Sequence, residues 1–187
     1  MSDERIRDYA KSKGFHPQTL SRWLGWCPQD RDALLGLAER LKIGENHLRD
    51  LMDWLEEIAL RDQCDIHEVL AQKAITDIGS DPRLGRADQL KRIKEQIRRL
   101  RFPRLTLMED SIRARIQELK LPAAIRLSVP PGLEGGQLRV EFNASTTEEL
   151  RELAARLVEA ADRDSVREVF RVLGGQRAEK GVPSATE

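Results

Sequence analysis

Apolar residues in the first eighty positions recur every three or four residues, which is the period of an amphipathic helix. This spacing predicts helices over 3–13, 17–24, 29–41, 46–60 and 65–78. Asn46 is the predicted cap of the fourth helix, and Asp65 with Glu68 forms a capping-box pattern at the start of the fifth. The chain therefore begins with a predicted helical region over 1–78.

Residues 79–86 contain two glycines and a proline, which predicts a linker or an exposed loop. Helical spacing resumes after this segment, breaks at Phe102-Pro103, and begins again at a capping pattern of Thr106 and Glu109. The sequence thus predicts a basic helical hairpin over 87–122.

The apolar period changes to two beyond residue 124, which predicts two strands separated by the glycine-rich segment 130–136. A helix follows from a capping pattern at Thr146 and Glu149, and a shorter one is predicted over 165–173. The first of these helices is predicted to turn five apolar side chains toward a core: Leu150, Leu153, Ala154, Leu157 and Val158. Residues 123–173 are therefore predicted to form a small α+β module, followed by a disordered tail over 174–187.

The composition is that of an ordered, water-soluble chain, because 40% of the 187 residues are apolar and 34% are charged. Only 4% are aromatic, so Leu, Ile, Val and Ala must supply most of the core. The two cysteines, Cys27 and Cys64, and the polar N-terminus argue against a disulfide scaffold and a secretory signal. A cytoplasmic protein without a membrane-spanning segment is therefore predicted.

Charge is segregated along the chain, although 32 basic and 32 acidic residues cancel. Residues 29–82 hold 6 basic and 13 acidic side chains, whereas residues 83–126 hold 13 basic and 5 acidic ones. The neutral total argues against a uniformly basic surface. Two alternatives remain: a bipolar surface that faces a polyanion or another subunit, or pairing of the two blocks inside the fold.

The most informative window is 6–25, whose spacing matches a helix-turn-helix. Such a motif needs a small residue in its first helix, a glycine in the turn and an inward aliphatic residue in its second helix. Ala10, Gly14 and Leu20 fall at these positions, and Trp23 lies one turn further on. The same spacing also occurs in helical proteins that bind no DNA, and this alternative stays open.

The side chains of this window that are predicted to face DNA are Lys13, His16, Gln18, Thr19, Ser21 and Arg22. Arginine and glutamine read guanine and adenine edges, while serine and threonine suit phosphates or bases. This face contains no acidic residue of its own, as closeness to phosphates requires. The helix over 46–60 carries Asp50, Asp53, Glu56 and Glu57 instead, so it is assigned to structure or to a protein partner.

The helix over 87–101 has a narrow apolar stripe and a broad basic face. Its candidate DNA-binding residues are Arg92, Arg98, Arg99 and Arg101. Contacts from this face to phosphates would make binding strongly dependent on salt. The alternatives are a solvated face and pairing with the acidic segment 29–82; a membrane surface fits less well, because the helix lacks Trp and Phe.

The residues suited to catalysis or metal binding do not form a recognisable site. Cys64 and His67 have the spacing of one ligand pair, but a structural zinc site needs a second pair. The glycine-rich segment 130–136 lacks the lysine of a phosphate-binding loop. A non-enzymatic protein without metal or cofactor is therefore predicted.

Two stretches resemble ParB-like chromosome or plasmid partition proteins. Residues 8–24, DYAKSKGFHPQTLSRWL, resemble their helix-turn-helix, and residues 136–150, GQLRVEFNASTTEEL, resemble the strand and helix start of their C-terminal dimerisation module. The resemblance implies DNA binding near residues 18–22 and self-association through the C-terminal module. It does not imply CTP-dependent clamp activity, because a nucleotide-binding motif of the Gly-Glu-Arg-Arg type is missing from the sequence.

The expected fold is mainly α, with a helix-turn-helix and helical bundle followed by a small C-terminal α+β portion of two strands plus helices. The predicted function is non-enzymatic binding of double-stranded DNA by a homodimer, in partition or chromosome organisation. The alternatives are an adaptor that docks a basic partner on its acidic 29–82 face, and an RNA-binding protein that uses the basic helix alone. The position of Arg22 relative to Arg98 and Arg99 decides whether the two basic signals form one surface.

Overall fold

The fold is described from a computed structural model, for residues 2–174 without the side chains of Ser2 and Pro131. This range contains ten α-helices and one two-stranded sheet, so the predicted mainly α class is confirmed. The helices before the sheet are α1 (Ser2–Lys13), α2 (Pro17–Leu24), α3 (Pro28–Leu41), α4 (Glu45–Asp62), α5 (Ile66–Leu70), α6 (Lys73–Ser80), α7 (Arg86–Arg101) and α8 (Pro103–Glu118). The remaining elements are β1 (Ile125–Ser128), β2 (Arg139–Phe142), α9 (Thr147–Ala161) and α10 (Asp164–Leu173).

The described residues form two compact units, an N-terminal unit that ends at Pro103 and a C-terminal unit that begins at Arg104. α7 belongs to the N-terminal unit, where it packs against α3, α4 and α6. The predicted linker 79–86 therefore joins two helices of the same unit, and its first two residues end α6. The boundary falls instead inside the predicted hairpin 87–122, because the apolar stripe of α7 is buried in the N-terminal core.

The core of the N-terminal unit is built from the apolar stripes of α3, α4 and α7. The predicted α4 stripe is confirmed, since each of its members is at most 2% exposed: Leu48, Leu51, Met52, Leu55 and Ile58. Leu34 and Ala38 of α3 and Ile93 and Ile97 of α7 are fully buried against it. Burial of these side chains supplies the main stabilising free energy of the unit.

Three helix boundaries in the structure differ from those that the sequence predicted. α4 begins at Glu45 and is capped by Gly44, in place of Asn46. The predicted helix 65–78 is divided in two because Gln72 is extended, which lets the apolar residues on both sides reach the core. α8 begins at Pro103 and not behind Thr106, since proline suits the first position of a helix.

The C-terminal unit contains the antiparallel pair of β1 and β2, in which Ile125 lies opposite Phe142 and Leu127 opposite Val140. The predicted cap of α9 is confirmed, because the Thr146 hydroxyl accepts a hydrogen bond of 3.1 Å from the Glu149 backbone N–H. The buried apolar residues of the unit are few and all aliphatic: Ile112, Leu119, Ile125, Leu153, Ala160, Val169 and Val172.

One side of α9 is left uncovered within the C-terminal unit. Leu153 and Ala160 are buried, but Leu150 is 46% exposed and Val158 is 65% exposed. The prediction that Leu150 and Val158 face the core is therefore wrong, because the unit packs against only one edge of the apolar surface of α9. Two apolar side chains of this helix are thus free to contact another surface.

The predicted disordered tail begins at Gly174, and its residues 175–187 lie outside the described range. Within that range, none of the helices combines the length and apolar character needed to cross a bilayer.

The burial of α7 in the N-terminal core can be tested by shortening one of its side chains. We expect Ile97→Ala to lower the free energy of unfolding by about 3 kcal/mol, because it removes fully buried methyl groups. Leu60→Ala is the control, since Leu60 is 84% exposed and its truncation should cost less than about 0.5 kcal/mol. Urea unfolding of both variants measures the difference, and equal losses would show that α7 is not part of this core.

Candidate nucleic-acid interface

The connection between α1 and α2 has the local geometry that the sequence predicts for residues 6–25. Gly14 has a φ of +68°, and the next backbone N–H, of Phe15, donates a 2.9 Å hydrogen bond to the Ala10 carbonyl. Ala10 is 2% exposed and Trp23 is fully buried. A glycine is needed here because other residues rarely adopt this φ, and a small residue is needed at position 10 because it is buried at the start of the turn.

Tyr9 fixes this helix pair to the rest of the N-terminal unit. Its hydroxyl lies 2.9 Å from the Ala38 carbonyl oxygen and 2.7 Å from the Ile43 carbonyl oxygen, and its ring meets Trp23 edge-on at 6.3 Å. Burial raises the pKa of the Tyr9 hydroxyl, so the group stays protonated and can donate. α2 is therefore held in one orientation by side chains of α1.

The polar side chains around α2 divide into an exposed group and an inward group. Lys13, His16, Gln18 and Ser21 are exposed, as predicted. Thr19 is only 7% exposed, so the prediction that it faces outward is wrong. Its hydroxyl donates a 2.6 Å hydrogen bond to Glu45 at the start of α4, and this contact turns it away from solvent.

Glu45 places a carboxylate at the start of α2. Its Oε1 atom accepts hydrogen bonds from the Thr19 hydroxyl and, at 2.9 Å, from the His16 backbone N–H. The Thr19 hydrogen bond is the main cause that lowers the pKa of Glu45, and the His16 hydrogen bond adds to it. An anionic group thus already occupies part of the position where a helix N-terminus attracts phosphate.

Arg22 also faces α4 and is held there by two carboxylates. Its guanidinium makes contacts of 2.6 and 3.1 Å with the two oxygens of Glu56 and a third of 2.6 Å with Asp53. The Glu56 carboxylate also accepts a 2.7 Å hydrogen bond from the Trp26 indole. Hydrogen bonding to Glu56 raises the pKa of Arg22 above its ordinary value. The side chain remains 36% exposed, but its donors point at carboxylates and not at solvent, in contrast to the prediction.

The basic helix α7 lies beside the same face of α4. Lys94 contacts Asp50 at 2.7 Å, and Arg101 contacts an oxygen of Glu57 at 2.7 Å. We call the four carboxylates that receive these cations and Arg22 the α4 acidic row: Asp50, Asp53, Glu56 and Glu57. The sequence left open whether the acidic and basic segments form a bipolar surface or pair with each other inside the fold. For the α4 acidic row, the carboxylates are paired inside the fold.

The other predicted basic residues of α7 differ in their surroundings. Arg98 pairs with Glu95 of its own helix at 3.0 Å and is 26% exposed, and Arg99 is half-buried. Lys91 and Arg92 are exposed, and neither makes a hydrogen bond or an ion pair within residues 2–174. Only part of the predicted basic face is thus available to a ligand.

The α4 acidic row separates Arg22 from the cations of α7. Arg22 and Arg101 line one depression of about 370 Å³, together with Asp53, Trp54, Glu56, Glu57 and Leu60. A second cleft of about 480 Å³, between α2 and α4, is lined by His16, Gln18, Thr19, Arg22, Glu45, Arg49 and Met52. Carboxylates lie in both clefts, so the two basic signals do not merge into one uninterrupted positive surface.

Two of the residues singled out as possible metal ligands come together at one carboxylate in the part of the chain that the structure describes. His67 and Cys27 both contact the Asp30 carboxylate, His67 through its Nδ1 atom at 2.8 Å. In that part of the chain, groups of three or more His, Cys, Asp or Glu side chains placed to hold a metal ion are not found.

Two features of this surface are missing from the sequence prediction. The sequence pattern assigns no role to Glu45 or to Trp54. The signal for Trp54 is its position, because it lies between Asp50 and Glu57 at helical spacing and therefore on their face. Glu45 has no comparable signal, since its partners Thr19 and His16 are 26 and 29 residues away.

Comparisons with protein-family models, with curated proteins and with solved structures give no match to this chain.

The pairing of Arg22 with Glu56 can be measured with a double-mutant cycle. We expect Arg22→Ala and Glu56→Ala to show a coupling free energy of about 1 kcal/mol, the upper end for exposed pairs, because the contact is bidentate. The same cycle on Lys73 and Asp77 is the control, and an exposed pair four residues apart should give about 0.3 kcal/mol. Urea unfolding of the four proteins in each cycle provides both values. A coupling for Arg22 no larger than that of the control would contradict this geometry.

Proposed function

We propose that the chain is a non-enzymatic protein that binds double-stranded DNA through the start of α2. The observation that carries the proposal is the exposed polar group of Lys13, His16, Gln18 and Ser21, none of which is itself acidic, held in place by the Gly14 turn. A short helix supported in this way is what a helix-turn-helix presents to the major groove. A role in partition or chromosome organisation follows from the resemblance to ParB-like proteins and belongs to the same proposal. So does the cytoplasmic location that the sparse cysteines favour.

The four exposed residues have separate roles in this proposal. Gln18 is suited to an adenine edge, because its amide offers one donor and one acceptor side by side. Lys13 and His16 lie before the helix, where contacts to phosphates position the protein without reading sequence. Arg22 reaches DNA only if it leaves Glu56 and Asp53, so its contribution depends on an exchange of partners.

The adaptor alternative receives less support than DNA binding does. A basic partner would need free carboxylates on the 29–82 segment, but each member of the α4 acidic row already contacts Arg22, Lys94 or Arg101. RNA binding through α7 alone is weakened in the same way, since two cations of that helix are used inside the fold.

DNA binding can be tested by fluorescence anisotropy with labelled duplexes selected from a random pool. We expect Gln18→Ala to reduce the preference for the selected duplex about tenfold, because a side chain that reads a base edge is lost. Lys13→Ala should weaken binding to all duplexes alike and lower the salt slope by about one. Lys73→Ala is the control, since it removes one positive charge from α6.

The same anisotropy measurement also tests the role of the α4 acidic row. The double variant Asp53→Asn/Glu56→Gln should bind duplex DNA more tightly than wild type, and adding Arg22→Ala should remove the gain. Asp62→Asn/Asp77→Asn, which removes two carboxylates elsewhere, should leave the affinity nearly unchanged. If wild type binds no duplex at low salt, the proposed function is wrong.

Self-association through the C-terminal unit is part of the proposal. Leu150, Ala154, Leu157 and Val158 lie on α9 at spacings of four, three and one residues, and Leu150 and Val158 are largely uncovered. An antiparallel pair of α9 helices from two copies would place Leu150 of each copy near Val158 of the other, with Ala154 between them. A two-fold dimer would also present two copies of α2 to two half-sites of DNA.

We expect Leu150→Glu/Val158→Glu to convert a dimer to a monomer, because two carboxylates would be buried without partners in the contact. Arg156→Glu is the matched control, since it makes the same change of two charge units at an exposed residue on the opposite side of α9. Sedimentation equilibrium at the protein concentrations of the DNA experiments measures the mass. A wild-type monomer, or a dimer that survives the double change, would disprove this arrangement.

A further inference from the structure

A groove between α4 and α7 has the features of a protein-docking site. Its volume is about 600 Å³, and it is lined by His47, Trp54, Ala87, Leu90, Lys91, Lys94, Glu95 and Arg98. The floor is formed by apolar groups, with the indole of Trp54 as the largest. The rim carries three cations and one carboxylate. The DNA contact proposed above, at the start of α2, does not use this groove.

Trp54 is the residue that distinguishes the groove from an ordinary helix contact. Its neighbours Leu51, Leu55 and Ile58 form the buried stripe of α4, whereas Trp54 lies on the charged side and stays half-buried. Its indole N–H makes no hydrogen bond to any residue in the described range 2–174. A partly exposed tryptophan offers a large apolar surface together with one free hydrogen-bond donor. Such residues are common energetic hot spots in protein–protein interfaces.

The walls of the groove are already fixed before a partner arrives. Ile93 and Ile97 of α7 are fully buried against α4, so the two helices cannot easily move apart. Lys94 is only 18% exposed; its Nζ contacts Asp50 and lies 5.1 Å from the centre of the Trp54 ring. A groove that needs no rearrangement loses little conformational entropy when it binds.

The charge of the rim selects the kind of partner. Lys91 is exposed and has no partner within the described range, while Lys94 and Arg98 are held in place by Asp50 and Glu95. An acidic side chain that arrives at the groove therefore meets Lys91 first, with the two oriented cations beside it. A basic segment would be repelled by Lys91, whose charge is not balanced by a neighbouring carboxylate as those of Lys94 and Arg98 are.

We propose that this groove docks an acidic segment of another protein, with an apolar residue against Trp54 and a carboxylate at Lys91. Duplex DNA fits the groove less well, because the floor of Trp54, Ala87 and Leu90 offers no donor to phosphates except the indole N–H. The surface also continues to the exposed Leu60, six residues along α4, which gives room for a second apolar residue of the same segment. The inference does not depend on whether α2 binds DNA.

The test uses the full chain and a short fluorescein-labelled peptide in which Phe and Leu are flanked by Asp and Glu. We expect saturable binding by anisotropy, weakened at least about tenfold by Trp54→Ala, because the main apolar contact is lost. Trp54→Phe should retain most of the affinity. Lys91→Glu should weaken binding several-fold and in a salt-dependent manner, while Lys73→Glu, the same charge change on α6, should have little effect.

Control peptides decide between this docking mode and general attraction of anions. A peptide with Ser in place of Phe and Leu should bind far more weakly, and one with Lys in place of its acids should not bind. Equal binding of the Ser peptide, or an affinity unchanged by Trp54→Ala in a variant that keeps its urea midpoint, would overturn the proposal. Complete displacement of the peptide by duplex DNA together with loss of DNA binding in Lys91→Glu would show a phosphate site instead, which also overturns it.

Discussion

The carboxylates along one face of α4 determine which sides of its neighbouring helices turn toward it. Asp53 lies three residues from Asp50 and from Glu56 and four from Glu57, spacings at which like charges repel each other on a helix. α2 supplies Arg22 and α7 supplies Lys94 and Arg101, each with a contact of 2.6 or 2.7 Å. Exposed ion pairs contribute little individually, so the burial of apolar side chains such as Trp23 and Ile97 provides most of the stability. The pairing decides the orientation, because the opposite faces of these helices would leave the α4 acidic row unneutralised.

The sequence predicts what depends on a few neighbouring residues and misses what depends on distant ones. The turn at Gly14 and the cap at Thr146 follow from residues within one helical turn, and the structure has both. Arg22 is 31 and 34 residues from its two partners, and no local pattern indicates that contact. The face of α2 that carries no acid in the sequence therefore has acids beside it in the fold, and the site could be predicted only in part.

Burial can likewise be predicted only in part. The periodicity of apolar residues shows which side chains share one face of a helix, but it does not show which element covers that face. The stripe of α7 looked like half of a hairpin, but its true neighbours are α3, α4 and α6. The stripe of α9 looked like a core surface, yet Leu150 and Val158 are uncovered. In both helices the periodicity was correct, while the identity of the covering surface depended on the tertiary arrangement.

If α2 binds DNA as proposed, the carboxylates beside it help the protein to distinguish its own DNA site from other sequences more than they help it to bind tightly. Phosphates attract any exposed cation, so a wholly basic face binds all duplexes similarly. Glu45, Asp53 and Glu56 oppose this attraction, and Arg22 gains nothing by leaving two carboxylates for a phosphate of similar charge. The exchange becomes favourable for Arg22 only where a base edge offers it further hydrogen bonds, or where Gln18 holds α2 in position on the DNA. These carboxylates thus make binding to a wrong DNA site less favourable, which is how repulsive elements produce specificity.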